Sequence, residues 1–189
     1  MRQNIQTQII ARLFRLLPRG AARRFARAQD GAAAIEFGLV AVPFLALTFA
    51  IMETALVFFS GQTLEAAAAA SARLIMTGQA QTAGYTAATF KQAVCNQIFG
   101  LFDCANGVYV DVKSYTSFAA INTTQPVVNG HLDTSNFTYT PGGPGSIVVV
   151  SLYYQWPIYV SLLSDNLQNL TGNYRLLVAT NVFRNEPYQ

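Results

Sequence analysis

Residues 27–59 read RAQDGAAAIEFGLVAVPFLALTFAIMETALVFF, and this stretch decides the architecture of the chain. From Phe37 to Phe59 it contains 23 positions with a single charge, Glu53. At about 1.5 Å per residue such a helix rises roughly 34 Å, enough to cross a hydrocarbon core of about 30 Å. The run is too long for the apolar region of a cleaved secretory signal, which spans roughly 7 to 15 residues. A transmembrane helix over 32–60 is therefore expected.

The flanks orient that helix. Residues 1–30 hold seven Arg (Arg2, Arg12, Arg15, Arg19, Arg23, Arg24 and Arg27) against one acid, Asp30, whereas residues 31–189 hold five bases and eight acids. By the positive-inside rule this asymmetry makes 1–31 a basic cytoplasmic leader and puts the C-terminal part across the membrane. The acid-free, amphipathic segment Ile5–Leu17 also has the texture of an organelle transit peptide, but a basic tail holding the cytoplasmic end of a long span explains it more simply. The net charge of +3 thus averages two unlike segments. No basic stripe interleaved with aromatics follows Gly31, so no nucleic-acid partner is expected.

Beyond the span, Gln62–Gln79 (QTLEAAAAASARLIMTGQ) is rich in Ala and free of Pro, and predicts an outward prolongation of the same helix. Gly61 and Gly78 are candidate kink and stop points, and the run Ala66–Ala70 either reflects helix propensity alone or offers a smooth face for a second helix. Tyr85–Phe102 repeats Phe90, Val94, Ile98 and Leu101 at helical spacing, which predicts a second, amphipathic helix. Three β-branched and aromatic runs then predict strands at Val108–Tyr115, Ile147–Trp156 and Tyr174–Phe183, with weaker strand material at Pro126–Val128 and Phe137–Thr140. Pro141–Ser146 reads as a turn, and Thr116–Ser135 as a long loop with one edge strand. The fold class is α+β: a long membrane helix continuing into an outer domain, 61–189, of a helix packed on a small antiparallel sheet.

Few residues in this chain are equipped for chemistry. Cys95 and Cys104 are the two cysteines, both on the side where oxidation is permitted, and a disulfide between them is expected. His131 lies in a polar stretch with no Cys or second His to complete a ligand set. Neither a serine elbow, a phosphate-binding Gly-Lys motif nor a His-based dyad occurs, so the reading is of a protein that is not an enzyme, with no metal, cofactor or small-molecule substrate. Asn-x-Thr sequons at Asn122, Asn136 and Asn169 fit polar surface loops. That leaves two acids, Glu36 and Glu53, near or inside the apolar run, where insertion of a charged side chain at the bilayer centre costs about 2.5 to 3.5 kcal/mol. Acids in such places usually have a partner; for Glu53, reach to the headgroups is the simpler alternative.

Gly31, four small or apolar residues later joined by Glu36-Phe37, resembles the prepilin-peptidase site of the tight-adherence (Tad) class of type IV pilins and pseudopilins, with Phe37 where the major pilins have Tyr. The whole of 31–78, with Pro43 inside the span, Glu53 late in it and an Ala-rich helix carrying Arg73, is similar to the TadE-like family, as are the Cys95/Cys104 pair and the closing Phe183–Tyr188. The resemblance implies a pilin-like fold, cleavage after Gly31 by a membrane peptidase, and Ala32 as the new N-terminus. It implies that Glu36 pairs with the terminal amine of a neighbouring subunit, and that Pro43 permits a local kink when the subunit leaves the membrane. It further implies a single-pass protein of the bacterial inner membrane with its C-terminal domain in the periplasm. Its partners would be the prepilin peptidase, the other pilins and pseudopilins of the Tad system and the inner-membrane assembly platform, in pilus biogenesis, secretion and adhesion. Residues 79–189 exceed what a major pilin carries, so the expected role is a minor pilin. Two other readings stay open on the residues. One is an unprocessed envelope adhesin using Tyr153, Tyr154, Trp156 and Tyr159, and the other is an envelope enzyme built on Asp103, Asp111 and Asp133.

Overall fold

A computed structural model describes residues 31–98, 100, 103–160 and 167–188. Apart from Gly31, the expected leader lies outside the described residues, as does Leu101 of the amphipathic stripe. Helix α1, Ala32–Met76, runs through Gly61 without interruption and realises both the span and its prolongation. It stops where Gly78 takes a left-handed conformation, φ 76°. A side chain there would also collide with the ring of Tyr188, so both the turn and the close approach call for glycine.

Two compact units divide between Thr48 and Phe49. In the first, α1 exposes apolar side chains on every side: Ile35, Phe37, Leu39, Val40, Val42 and Phe44 all stand open. In the second, one stripe of α1 is buried while the opposite side stays open: Ala50, Glu53, Val57, Ser60, Leu64, Ala67, Ala68, Ser71, Ala72 and Ile75. Steps of three and four residues keep these positions on one face.

That face packs on a three-stranded antiparallel sheet in the order β1-β4-β5, formed by β1 (Val108–Tyr115), β4 (Ile147–Pro157) and β5 (Tyr174–Arg184). β1 pairs with β4 from Val108 opposite Tyr154 to Tyr115 opposite Ile147, and β4 pairs with β5 from Ile147 opposite Arg184 to Pro157 opposite Tyr174. All three expected strands are present, the last two each one residue longer. β4 is the central strand and is buried on both faces, which explains why its apolar residues do not alternate with polar ones. Val148, Val150, Leu152 and Trp156 share a core with α1, while Tyr153 joins Leu170 and Leu176 in a second cluster.

The second cluster is covered by the segment between β1 and β4. A short hairpin, β2 (Val127–Val128) with β3 (His131–Leu132), stands where one edge strand was expected. Phe137–Thr140 forms no strand, but Tyr139 bridges Val112 in parallel fashion, with the Val112 N–H donating to Thr138 and the Thr140 N–H to Val112, each at 2.8 Å.

The amphipathic helix is shorter than its sequence pattern. After the single turn α2 (Gln79–Thr82), α3 spans only Ala87–Cys95. It starts at a Thr86/Thr89 capping box, and Phe90 and Val94 are its fully buried residues. Ile98 still packs against the core beyond the helix end. The cause is covalent: Cys95 and Cys104 form a disulfide with their Cα atoms 5.6 Å apart, so the chain must reverse between them. The bridge ties the end of α3 to the single turn α4 (Cys104–Gly107), which leads into β1. A loop this short contributes roughly 2 to 3 kcal/mol by the chain-entropy relation. Denatured, unreduced protein should therefore show no reactive thiol. Reduction should release two and lower the denaturant midpoint of the outer unit; two thiols before reduction would contradict the bridge.

Candidate functional site

Residues singled out in the sequence fall at three places along α1. At its start, the Gly31 carbonyl accepts the first helical hydrogen bond among the described residues, from the Ile35 N–H at 3.1 Å, and no described residue would meet a side chain placed at Gly31. Ala32 opens the helix. Glu36 and Phe37 are exposed one turn later, and the Glu36 carboxylate makes no hydrogen bond or ion pair among the described residues. The residue expected to be cut, a carboxylate without a partner among the described residues and an apolar helix surface thus lie within two turns of each other. Pro43 is exposed on the same segment, where its missing N–H leaves one helical hydrogen bond unmade.

Glu53 is in a different setting. Its side chain is only 6% exposed, although the neighbouring Ile51, Met52 and Leu56 stand open. One carboxylate oxygen accepts the N–H of Tyr159, and the other accepts the N–H of Val160 at 3.0 Å. These donors sit just past the end of β4, so the acid of the helix is solvated by the backbone of the sheet domain. Reach to the headgroups is not how this acid is accommodated in the fold. Glu53 and Tyr159 are 106 residues apart, and no local pattern marks their meeting.

The other end of the buried stripe is also held from the sheet side. The Met76 carbonyl accepts the N–H of Glu186 at 2.9 Å, and Gln81 Nε2 donates to the Ile75 carbonyl at 3.2 Å. Asn185 Nδ2 donates to the carbonyls of Pro141 and Gly143, both at 3.0 Å. The closing segment Phe183–Tyr188 thereby caps the C-terminus of α1, whose last carbonyls have no helical partner. Between the two ends, Ala67 and Ala68 face the core while Ala66, Ala69 and Ala70 are exposed. The small side chains on the inner face serve approach of the sheet to the helix.

The aromatics weighed for an adhesin do not form one surface. Tyr154 and Trp156 turn toward α1, Tyr153 lies on the opposite face of the sheet stacked on Phe137 at 5.1 Å, and Tyr159 is 80% exposed. Burial pushes the hydroxyls of Tyr153 and Tyr154 above the ordinary phenol range. The three acids weighed for an enzyme each have a local task. Asp103 caps α4 by accepting from the Asn106 N–H, and Asp111 accepts from Lys113 Nζ at 2.7 Å and from the Thr138 N–H at 2.9 Å. Asp133 accepts from the Ser135 N–H at 3.0 Å, and hydrogen bonds from the Ser135 side chain and backbone hold its carboxyl below the usual range. His131 is exposed on β3, with both ring nitrogens within 3.2 Å of Thr171 Oγ1.

Residues 31–73 match the family described as TadE-like protein. The match begins at the proposed cleavage residue and takes in Glu36, Pro43, Glu53 and the inner Ala face. No curated protein and no solved structure matches the chain.

Removing the Glu53 carboxylate tests its role directly. Glu53→Ala removes two hydrogen bonds to a charged acceptor, each worth about 1.5 to 3 kcal/mol. Chymotryptic cleavage after Tyr159 should then accelerate roughly tenfold or more, since opening free energy sets such rates. Glu53→Gln, which keeps an acceptor, should fall between. Equal rates for all three proteins would show that the contact does not hold the loop.

Proposed function

We propose that this chain, TadE-like over residues 31–73 and therefore tied to a Tad pilus system, is a minor pilin or pseudopilin of that system. Its apolar N-terminal helix fits a single-pass membrane protein. In this reading the precursor is inserted in the inner membrane with its basic leader in the cytoplasm and its sheet domain in the periplasm. A prepilin peptidase cuts after Gly31, and the processed subunit joins or primes the assembly of other pilins and pseudopilins on the inner-membrane platform. The role is structural, without a catalytic step, cofactor or small-molecule substrate.

The observation that carries the reading is at the head of α1. The helix begins at Ala32, the residue that cleavage would make the N-terminus, and Glu36 follows one turn later, exposed and unpaired among the described residues. An acid left alone in hydrocarbon is costly, and the same low dielectric strengthens its attraction to a cation. A neighbouring subunit's α-amino group, released only by cleavage, supplies such a cation. Processing and assembly are thereby linked: an uncut chain offers no amine, and a chain without Glu36 offers no site for one. Pro43 supports local melting of the helix during extraction from the bilayer.

Coexpression with a Tad prepilin peptidase followed by N-terminal sequencing of membrane-extracted protein tests this. The expected sequence begins at Ala32. Glu36→Ala should still insert but no longer enter assemblies recovered with the other pilins. An intact Met1 or Arg2 terminus in the presence of active peptidase would overturn the processing step, and undiminished assembly of Glu36→Ala would overturn the pairing.

A further inference from the structure

The way Glu53 is solvated has a consequence for the membrane itself. Glu53 stands six residues before the end of the apolar run Phe37–Phe59, which at about 1.5 Å per residue rises roughly 34 Å, and a hydrocarbon core is about 30 Å thick. A span built from that run therefore puts Glu53 in the outer part of the core, where water is scarce. The N–H groups of Tyr159 and Val160 meet that need, and in doing so they fix the loop Pro157–Val160 at the depth of Glu53.

The surroundings of the loop suit that depth. No charged residue occurs from Lys113 to Asp165 except Asp133, so the loop and its approach are neutral. Tyr159 is 80% exposed, while Ile158 beside it is buried. On α1 within the same compact unit, Ile51, Leu56, Phe58 and Phe59 are exposed apolar side chains at and just beyond the level of Glu53. These continue the unburied apolar surface that qualifies α1 as a membrane span. Tyr favours the boundary between hydrocarbon and water because its ring is apolar and its hydroxyl is not.

We propose that Pro157–Val160 is a membrane-contacting loop that seats the sheet domain on the outer face of the bilayer, with Tyr159 as its interfacial anchor and lipid as its partner. Glu53 is the positioning residue: its carboxylate holds the loop down against α1. The proposal rests on membrane insertion of α1 and holds whether or not the chain is processed as a pilin.

The disulfide leaves no free thiol, so Tyr159→Cys gives the unreduced full chain a single labelling site on an exposed position. Thr123→Cys, exposed on the segment that follows β1, is the comparison. Each variant is labelled with an environment-sensitive fluorophore and reconstituted into phosphatidylcholine vesicles, with or without phosphatidylcholine brominated on the upper part of its chains. Emission of the buried Trp156 before labelling verifies the fold. The label at position 159 should show blue-shifted emission, lose intensity with brominated lipid and resist aqueous iodide. At position 123 it should show water-like emission, quenched by iodide and indifferent to bromine. Water-like emission at 159 would overturn the proposal. So would a blue shift at 159 that brominated lipid leaves unquenched, because a protein surface would then be the occupant.

Discussion

One helix has to satisfy two solvents. The first part of α1 is apolar all round, which fits a membrane span, and the second part is buried along one stripe, which suits a folded partner. The change of regime occurs near Phe49 and Ala50, inside the apolar run. Much of the outer unit follows from covering that stripe: the burial of one face of the central strand, small side chains at Ala67 and Ala68, and hydrogen bonds at each end of the stripe from amides of the sheet domain to Glu53 and Met76.

The two end contacts are of different kinds. Met76 is a helix carbonyl that needs a donor because α1 stops there, and the backbone of Glu186 provides it. Glu53 is an acid that needs donors because it is buried, and backbone again provides them. Glu36, on the same helix, has no such provision among the described residues. The contrast separates two carboxylates that look alike in the sequence: one is completed by backbone donors of its own chain, and the other has none among the described residues.

Much of the fold was legible because it is local. The strands announce themselves by β-branched and aromatic runs at Val108, Ile147 and Tyr174, and the stop of α1 by Gly78. The helix after Tyr85 was overextended because periodicity continues past Cys95, whereas a covalent bridge to Cys104 reverses the chain. The hairpin at Val127–Leu132 was half legible, its second strand being two residues long. At the candidate site, Gly31, Glu36 and Pro43 could be singled out through the family resemblance that the Gly31 to Glu36-Phe37 pattern carries. The partner of Glu53 could not, because a contact across 106 residues with backbone donors leaves no mark in side-chain pattern. Nor could the division of Tyr153 from Tyr154 be used until the sheet showed which face meets α1. The closing Phe183–Tyr188 segment carries only a family resemblance in the sequence, and in the fold it caps α1.

The central claim is that Glu53 joins the helix to the sheet domain through two backbone amides. Hydrogen exchange of the full chain in lipid vesicles, resolved at single amides, measures this most directly. The account predicts that the Tyr159 and Val160 amides exchange as slowly as those of the adjoining end of β4, and that protection at both is lost together in Glu53→Ala. Exchange of both at the rate of an open loop in the unaltered protein would contradict it.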